Sequence, residues 1–530
     1  MMLFLVISAV ALFLLYKYLS KDHDFFKKSG LKAMNPFLLL GNTGSLMLFK
    51  RLSMGNGILC LYNAFPNEKI NGFFDFLSPV YMIRDPELIK KLAIKEFDHF
   101  QDHKSVIGSD VDPMMGSTLI ALRGQRWKSM RSTLSPAFTG KKMRLMFELI
   151  DECSGQVVDH FLKKNSSEEG TQTVDMKDVF SRFTNDVVAT CAFGIKVDSL
   201  ENKDNEFFLM GKEVMNGSKL KGFFKFFLFR TFPRLAAKFN VRFLSDTLTK
   251  FFKSLIIDTM VERENKHIFR PDMINILMQV RKGSLTRDDQ DDKTDSNDGF
   301  ATVEEFSSKA DSKKEWSDDE LVAQCLLFFL AGFDTSSTLL SFLGNELALN
   351  PDIQEKLCRE IDETVKCMKD EKLTYELLNS LNYLDQVISE CLRKWPPALI
   401  TDRVCNKEIT FIVDGQTVTM KAGQQFWIPI YGLHMDPKYF PDPKKFDPER
   451  YSDENASKIV TGSYIPFGTG PRNCIGSRFA LLQIKAVVFH LLKHFTFEIC
   501  EKTALPLEMG KLSLVPEKGI HLELRKRAKA

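Results

Sequence analysis

Phe467-Gly-Thr-Gly-Pro-Arg-Asn-Cys-Ile-Gly476 is the stretch on which the reading of this chain turns. Its three glycines let the backbone approach a neighbour closely. Cys474 stands between this loop and an apolar helical run, SRFALLQIKAVVFHLLKHF. A helix amino terminus carries partial positive charge, and with its amides it favours thiolate over thiol. Arg472 is a fixed cation suited to a carboxylate or phosphate. A lone cysteine here would read as a structural thiol in a turn. The whole ten-residue pattern points instead to a sulfur with a chemical task.

Upstream, Leu321 to Leu349 is apolar almost all round, which marks a buried helix. Ser317-Asp-Asp-Glu320 supplies a capping box at its start. Counted from Asp318 it has about 32 residues and crosses roughly 48 Å. Asn350-Pro351 ends it and opens the next helix, with Asn as cap and Pro in first position. Mid-way lies Ala331-Gly-Phe-Asp-Thr335. Gly332 costs about 1 kcal/mol against Ala in a helix interior, so it needs a reason. Thr335 can hydrogen-bond back to the Ala331 carbonyl and distort the helix. A buried Asp334 is expensive unless it is hydrogen-bonded or serves a proton path.

The middle of the chain reads as helices with apolar periodicity. Ile409 to Met420 has two strand-like arms about Asp414-Gly415, a hairpin signal. Leu512 to Leu524 also has strand-like stretches. The expected class is mainly α with small β-sheets late in the chain (α+β).

The 530 residues are 44% hydrophobic and 27% charged, which excludes a disordered chain and a multi-span membrane protein. A net charge of +3 gives no reason to expect nucleic acid as a partner. Phe supplies 46 residues against 10 Tyr and 4 Trp. Phe needs no polar partner when buried, which suits a greasy cavity, a membrane-touching surface or a Phe-rich core. The ten cysteines form no CxxC pair, so a zinc knuckle is not expected and reduced thiols are.

Residues 1–20 read as an uncleaved membrane anchor, because no charged start precedes the apolar run. Nineteen helical residues span about 28 Å, close to the hydrocarbon core. Lys17, Lys21, Lys27, Lys28 and Lys32 follow, which places the bulk of the protein in the cytosol. Asn165, Asn216 and Asn455 would then carry no sugar. Residues 21–45 read as a short hinge and 46–530 as one catalytic domain, with 281–314 a charged surface loop. Residues 219–240 interleave Phe with Lys and Arg. They read as an amphipathic element or as a second contact with the membrane surface.

FGTGPRNCIG resembles the haem-binding loop of the cytochrome P450 family, the haem-thiolate monooxygenases. The resemblance covers nearly the whole chain and is greatest to the microsomal branch of animal drug-metabolising enzymes and their insect relatives. It implies a long central helix over haem b, with Cys474 as iron ligand and Phe467 and Gly468 in the haem loop. It implies that Ala331 and Gly332 form a groove for O2, and that Asp334 and Thr335 deliver protons. Trp127 and Arg131, spaced i, i+4 and otherwise a surface cation–π pair, would reach a haem propionate with Arg403 and Arg472. His103 stands where the family often has Arg. Glu390-Cys-Leu-Arg393 and Arg450 resemble the family's structural triad, and Tyr451 follows where Phe is more usual.

By the same resemblance, the substrate pocket draws on 106–119, Phe329, Phe333, Ala398, Leu399, Ile400 and 512–514, including Leu512. Those mostly apolar residues suit lipophilic substrates, whether xenobiotics or endogenous hormones and lipids. The implied activity inserts one oxygen atom of O2 into such a substrate. No dinucleotide or flavin motif is present, so electrons from NADPH would arrive through a separate reductase, with cytochrome b5 as a second donor. Lys141, Lys142, Arg144, Arg478 and Lys485 read either as a basic face for that partner or as plain solvated charge. The implied location is the endoplasmic reticulum membrane. A haem-thiolate isomerase or dehydratase that needs no O2 is the alternative, as is a non-catalytic haem sensor. The family's isomerase-type members tend to lose the mid-helix Thr that is present here as Thr335.

Overall fold

The computed structural model describes residues 1–528 apart from 50–51, 105–107, 165–170, 216–224, 226, 271, 283–299, 303–315, 369–371 and 511–515. The longer helices are α1 (Met2–Ser20), α2 (Gly124–Leu134), α3 (Gly140–Lys164), α4 (Met176–Val188), α5 (Asp246–Lys266), α6 (Asp318–Leu349), α7 (Pro351–Met368), α8 (Asn382–Lys394) and α9 (Ser477–His494). The strands are β1 (Ile70–Asp75), β2 (Ser78–Ile83), β3 (Thr171–Asp175), β4 (Thr401–Val404), β5 (Ile409–Val413), β6 (Gln416–Met420), β7 (Gln425–Ile428), β8 (Phe495–Glu498) and β9 (His521–Lys526).

They form a mixed sheet in the order β1-β2-β7-β4, a three-stranded sheet β3-β9-β8 and the hairpin β5-β6. In the mixed sheet β2 runs parallel to β7, with Val80 opposite Gln425, while both outer pairings are antiparallel. The hairpin turns at Asp414 and Gly415, whose φ values of 48° and 80° are those of a type I′ turn. The α+β class expected from sequence is the one observed.

α6 has the expected 32 residues and its capping box is formed, with Ser317 and Glu320 bonding reciprocally. It packs against α4, α5, α8 and the β8 strand. Asn350 stands at the cap position of α7 as expected, its carbonyl accepting from the Gln354 amide at 3.1 Å, while its side chain turns back, Nδ2 donating to the Glu346 carbonyl at 2.8 Å, and so closes the end of α6.

Residues 21–45 are more than a hinge. Phe26 is buried and packs edge-on against Phe74 and Tyr81 of the mixed sheet. Gly72 makes room for that ring, since a Cβ there would lie 2.4 Å from it. Asn42 Oδ1 accepts from the Phe74 amide, and Thr43 donates to Asp75. His23 and Phe25 also pack on Phe74 and Tyr81, so the connection to α1 that makes no such contact shortens to 21–22. Of the predicted surface loop 281–314, only 281–282 and 300–302 are described, and there Phe300 packs edge-on against Tyr451 and at a tilt against Tyr464. In the 219–240 segment Arg230 Nε bonds Asp75 Oδ2 at 2.6 Å, both groups buried, while Leu235 and Phe239 are exposed.

Candidate active site

The loop from Phe467 to Gly476 closes on itself. Gly468 has φ +79°, a conformation a Cβ resists, and a Cβ at Gly470 would meet the Ala93 carbonyl at 2.4 Å. The Cys474 amide donates to the Phe467 carbonyl at 2.9 Å. Cys474 retains accessible surface, yet burial pushes its thiol above the ordinary cysteine value. Its open side therefore faces an internal space rather than bulk water. A backbone hydrogen bond from Gly476 and the charge of Arg131 pull in the other direction but do not win. The expected thiolate bias from the start of α9 is present but outweighed, and a coordinated metal would supply the rest.

Around this sulfur sit three buried guanidiniums. Arg131 on α2 donates to the Asn473 carbonyl at 2.9 Å and to its Oδ1 at 2.8 Å, next to Cys474. Arg472 lies over the Trp127 ring at 4.0 Å and donates to the carbonyls of Gln101 and Leu122 and to Asp102. Trp127 thus finds its cation in Arg472, not in Arg131 one turn along its own helix. Arg403 donates to the Asp402 and Thr469 carbonyls and to Thr401 Oγ1. Burial pulls Arg472 down to about 9, with Arg403 and Arg131 adding repulsion. Burial likewise pulls Arg403 down to about 10. His103 Nδ1 meets the Asp402 carboxylate at 3.1 Å, and burial lowers its pKa.

These residues fit the dianionic edge of a haem. The cations are crowded, with Arg403 and Arg131 both repelling Arg472. Arg403 Nε is fully buried without a hydrogen-bond partner among the described residues. Such an orphan is costly unless an acceptor arrives.

α6 is buried over 321–326 and 336–347 but open between them, where Ala331 and Thr335 are exposed although Phe329, Phe333 and Ser336 beside them are buried. Thr335 Oγ1 donates to the Ala331 carbonyl at 2.6 Å, the back-bond expected from sequence. Phe328 and Phe138 lie between this face and the cysteine loop. Their rings are 5.4 Å apart, and a Cβ at Gly476 would touch Phe138 at 3.7 Å. Gln483 of α9 donates to Ser336 at 2.7 Å and ties the two helices together. The internal surfaces at Cys474 and Thr335 are thus held by directly bonded elements.

Several expected residues take other places. Asp334 is only half-buried, and its carboxylate pairs with Lys177 of α4 at 2.8 Å. Lys177 Nζ also donates to Ser337 and Thr338, and sequence gave no sign of it because α4 and α6 are far apart in the chain. Gly332 faces α4, where a Cβ would come 2.8 Å from Val188, so close helix packing accounts for it. Phe329 and Phe333 are core residues, stacked with Phe207, Phe208 and Phe252 on the side of α6 away from Thr335. An all-round apolar helix does not reveal which face is open, and Phe328, unlike Phe329 and Phe333, is only partly buried. Ala398 is exposed, Leu399 is buried, and Ile400 packs against the cluster around Trp427. The positions 106–107 and 512–514 lie outside the described residues. Lys485 belongs to no basic face: its buried Nζ lies 3.1 Å from Asp385. Arg144 is exposed but pairs with Glu376.

Glu390 and Arg393 form a fully buried two-pronged pair, at 2.7 and 2.8 Å. Arg450 approaches Glu390 at 3.4 Å. Tyr451 is buried and its hydroxyl has no hydrogen-bond partner among the described residues.

A cysteine presented inside an α+β fold, beneath a helix whose threonine bonds back to the preceding turn and beside crowded guanidiniums, defines a haem-thiolate oxidoreductase. Residues 59–524 match the family model described as Cytochrome P450. The chain is 44% identical to cytochrome P450 9e2 of Blattella germanica, covering 98% of this chain and 97% of that one. It is 43% identical to the probable cytochrome P450 9f2 of Drosophila melanogaster, covering 99% of each. It is 36% identical to cytochrome P450 6k1 of Blattella germanica, over 96% of this chain. The chain belongs to the cytochrome P450 family and is a haem- and O2-dependent monooxygenase.

Proposed function

We propose that this monooxygenase inserts one atom of O2 into lipophilic substrates, using electrons that reach it from NADPH through a separate reductase. The observation that carries the reading is the accessible Cys474 sulfur inside the protein, flanked by three crowded, buried guanidiniums, with Arg403 Nε lacking a hydrogen-bond partner among the described residues. Bound haem would supply the oxidising power, its thiolate ligand pushing electron density toward oxygen.

The chain's own residues divide the work. Cys474 ligates the iron. Arg131, Arg403 and Arg472, with Trp127 and His103, hold the carboxylates of the porphyrin. Thr335 holds a hydroxyl proton at Oγ1 on the open face of α6. Asp334, half-exposed and paired with Lys177, links that face to solvent. Phe328, Ala331 and Ala398 offer an apolar wall, which suits greasy substrates held with few polar anchors. Helix α1 is 19 residues of mean hydropathy 2.2 with no buried residue, which supports a membrane anchor, here assigned to the endoplasmic reticulum. Exposed Leu235 and Phe239 support a second contact with the lipid surface.

The test uses purified protein with reductase, NADPH and a fluorogenic lipophilic ether. Product and NADPH use should both vanish in Cys474→Ala. In Thr335→Ala product should fall sharply, by about 100-fold, the low end of the range for losing a positioned proton-transfer group. Full, tightly coupled turnover in Thr335→Ala would remove Thr335 from proton delivery. A haem spectral-shift screen across insecticides, sterols and fatty acids would identify the substrate class.

A further inference from the structure

The buried Glu390–Arg393 pair does not touch the cysteine loop directly; a histidine joins the two. His434 ends a short helix, Ile430–His434, and is completely buried. The Ile465 amide donates to its Nε2 at 3.0 Å. That fixes the ring proton on Nδ1, which donates to the Arg393 carbonyl at 3.2 Å, at the carboxyl end of α8. In return, Arg393 Nη1 donates to the His434 carbonyl at 2.8 Å. The ring stacks on Tyr464 at 5.4 Å, whose hydroxyl donates to the Ser389 carbonyl. From Ile465 the chain runs straight into the loop. The Ile465 carbonyl accepts from Gly468, and the Phe467 carbonyl accepts from Cys474. A continuous path of hydrogen bonds therefore leads from Glu390 through Arg393 and His434 to the sulfur-bearing turn.

We propose that neutral His434 is the positioning residue that fixes the Cys474 loop, and that its protonation unlocks the loop in acid. The inference rests on Cys474 being the iron ligand. Both ring nitrogens are committed, one as donor and one as acceptor. A second ring proton would face the Ile465 N–H, donor against donor. The charged groups nearby are Arg393, Glu390, which Arg393 already holds in two bonds, and Arg450 at 3.4 Å from Glu390. The other facing rings, Tyr464 and Phe440, carry no charge that could balance an imidazolium. Burial, then the Arg393 charge, pushes the His434 pKa down to about 3. With an unfolded value near 6.5, the stabilisation is complete above about pH 6.5 and is lost as pH falls from there toward 3.

The experiment follows the haem-loaded full chain through acid, reading the ratio of red-shifted to unshifted Soret band in the reduced carbon-monoxide complex. This ratio reports thiolate ligation, whereas simple unfolding removes both bands. His434→Gln keeps an acceptor for Ile465 but cannot charge. Its ratio near neutral pH should match the parent, and its acid midpoint should lie lower by about 0.5–1 pH unit. His434→Phe removes both bonds and should lower the ratio several-fold even near neutral pH. Coincident acid midpoints for the parent and His434→Gln would overturn the proposal. So would an unchanged ratio in His434→Phe, or a His434→Gln chain that takes up no haem. A parent protein lacking the red-shifted band altogether would instead sink the Cys474 assignment, so the two failures are distinguishable.

Discussion

Two buried arginine clusters lie on either side of the cysteine loop, and they are built on opposite principles. At Glu390–Arg393 each charge has its partner: the carboxylate takes two bonds from Arg393, one from the Asp447 amide and a long one from Arg450. Around Arg131, Arg403 and Arg472 the cations are crowded, Arg403 and Arg131 both repel Arg472, and Arg403 Nε has no hydrogen-bond partner among the described residues. The first arrangement is complete without a ligand and works as a lock. The second is incomplete without an anion and works as a seat. Both look alike in sequence, as arginines near an apolar helix; only the accounting of partners separates them.

Breaking the lock should have the largest effect. Glu390→Ala leaves Arg393 buried and unpaired, a loss of about 3–5 kcal/mol. We expect little or no haem-loaded protein, measured as haem per chain after purification. If Glu390→Ala loaded normally, the lock would not be one. Emptying the seat should be milder and of a different kind. Arg403→Leu removes a buried charge whose Nε has no hydrogen-bond partner among the described residues, so the haem-free chain should be no less stable to urea, while haem loss to an acceptor protein speeds up. A tenfold change corresponds to about 1.4 kcal/mol, the scale of one charge-assisted hydrogen bond. A variant equally damaged in both states would mean that Arg403 is structural, like Arg393. The smallest effect is a gain. Tyr451→Phe deletes a buried hydroxyl without a hydrogen-bond partner among the described residues and should raise the stability to denaturant by about 0.5–1 kcal/mol. A loss of that size would show that the hydroxyl is satisfied.

Local signals carried much of this in the sequence. The ends of α6, its capping box, the Asp414-Gly415 turn and the Thr335 back-bond each depend on residues within about four positions of one another, so they are legible. The misreadings share a cause, partners distant in the chain. Lys485 looked like surface charge until Asp385 met it, and Gly332 looked like a ligand groove until Val188 filled its side. Phe329 and Phe333 could not be told from Phe328 by periodicity in a helix that is apolar all round. His434 and Lys177 gave no local signal, because their bonds reach Ile465 and Asp334, 31 and 157 positions away.

The most direct test of the account is the absorption spectrum of the reduced, carbon-monoxide-treated protein beside its Cys474→Ser variant. The account predicts a strongly red-shifted Soret band in the parent and its replacement by an unshifted band in the variant. A parent that binds haem, stays folded and yet shows only the unshifted band would contradict it.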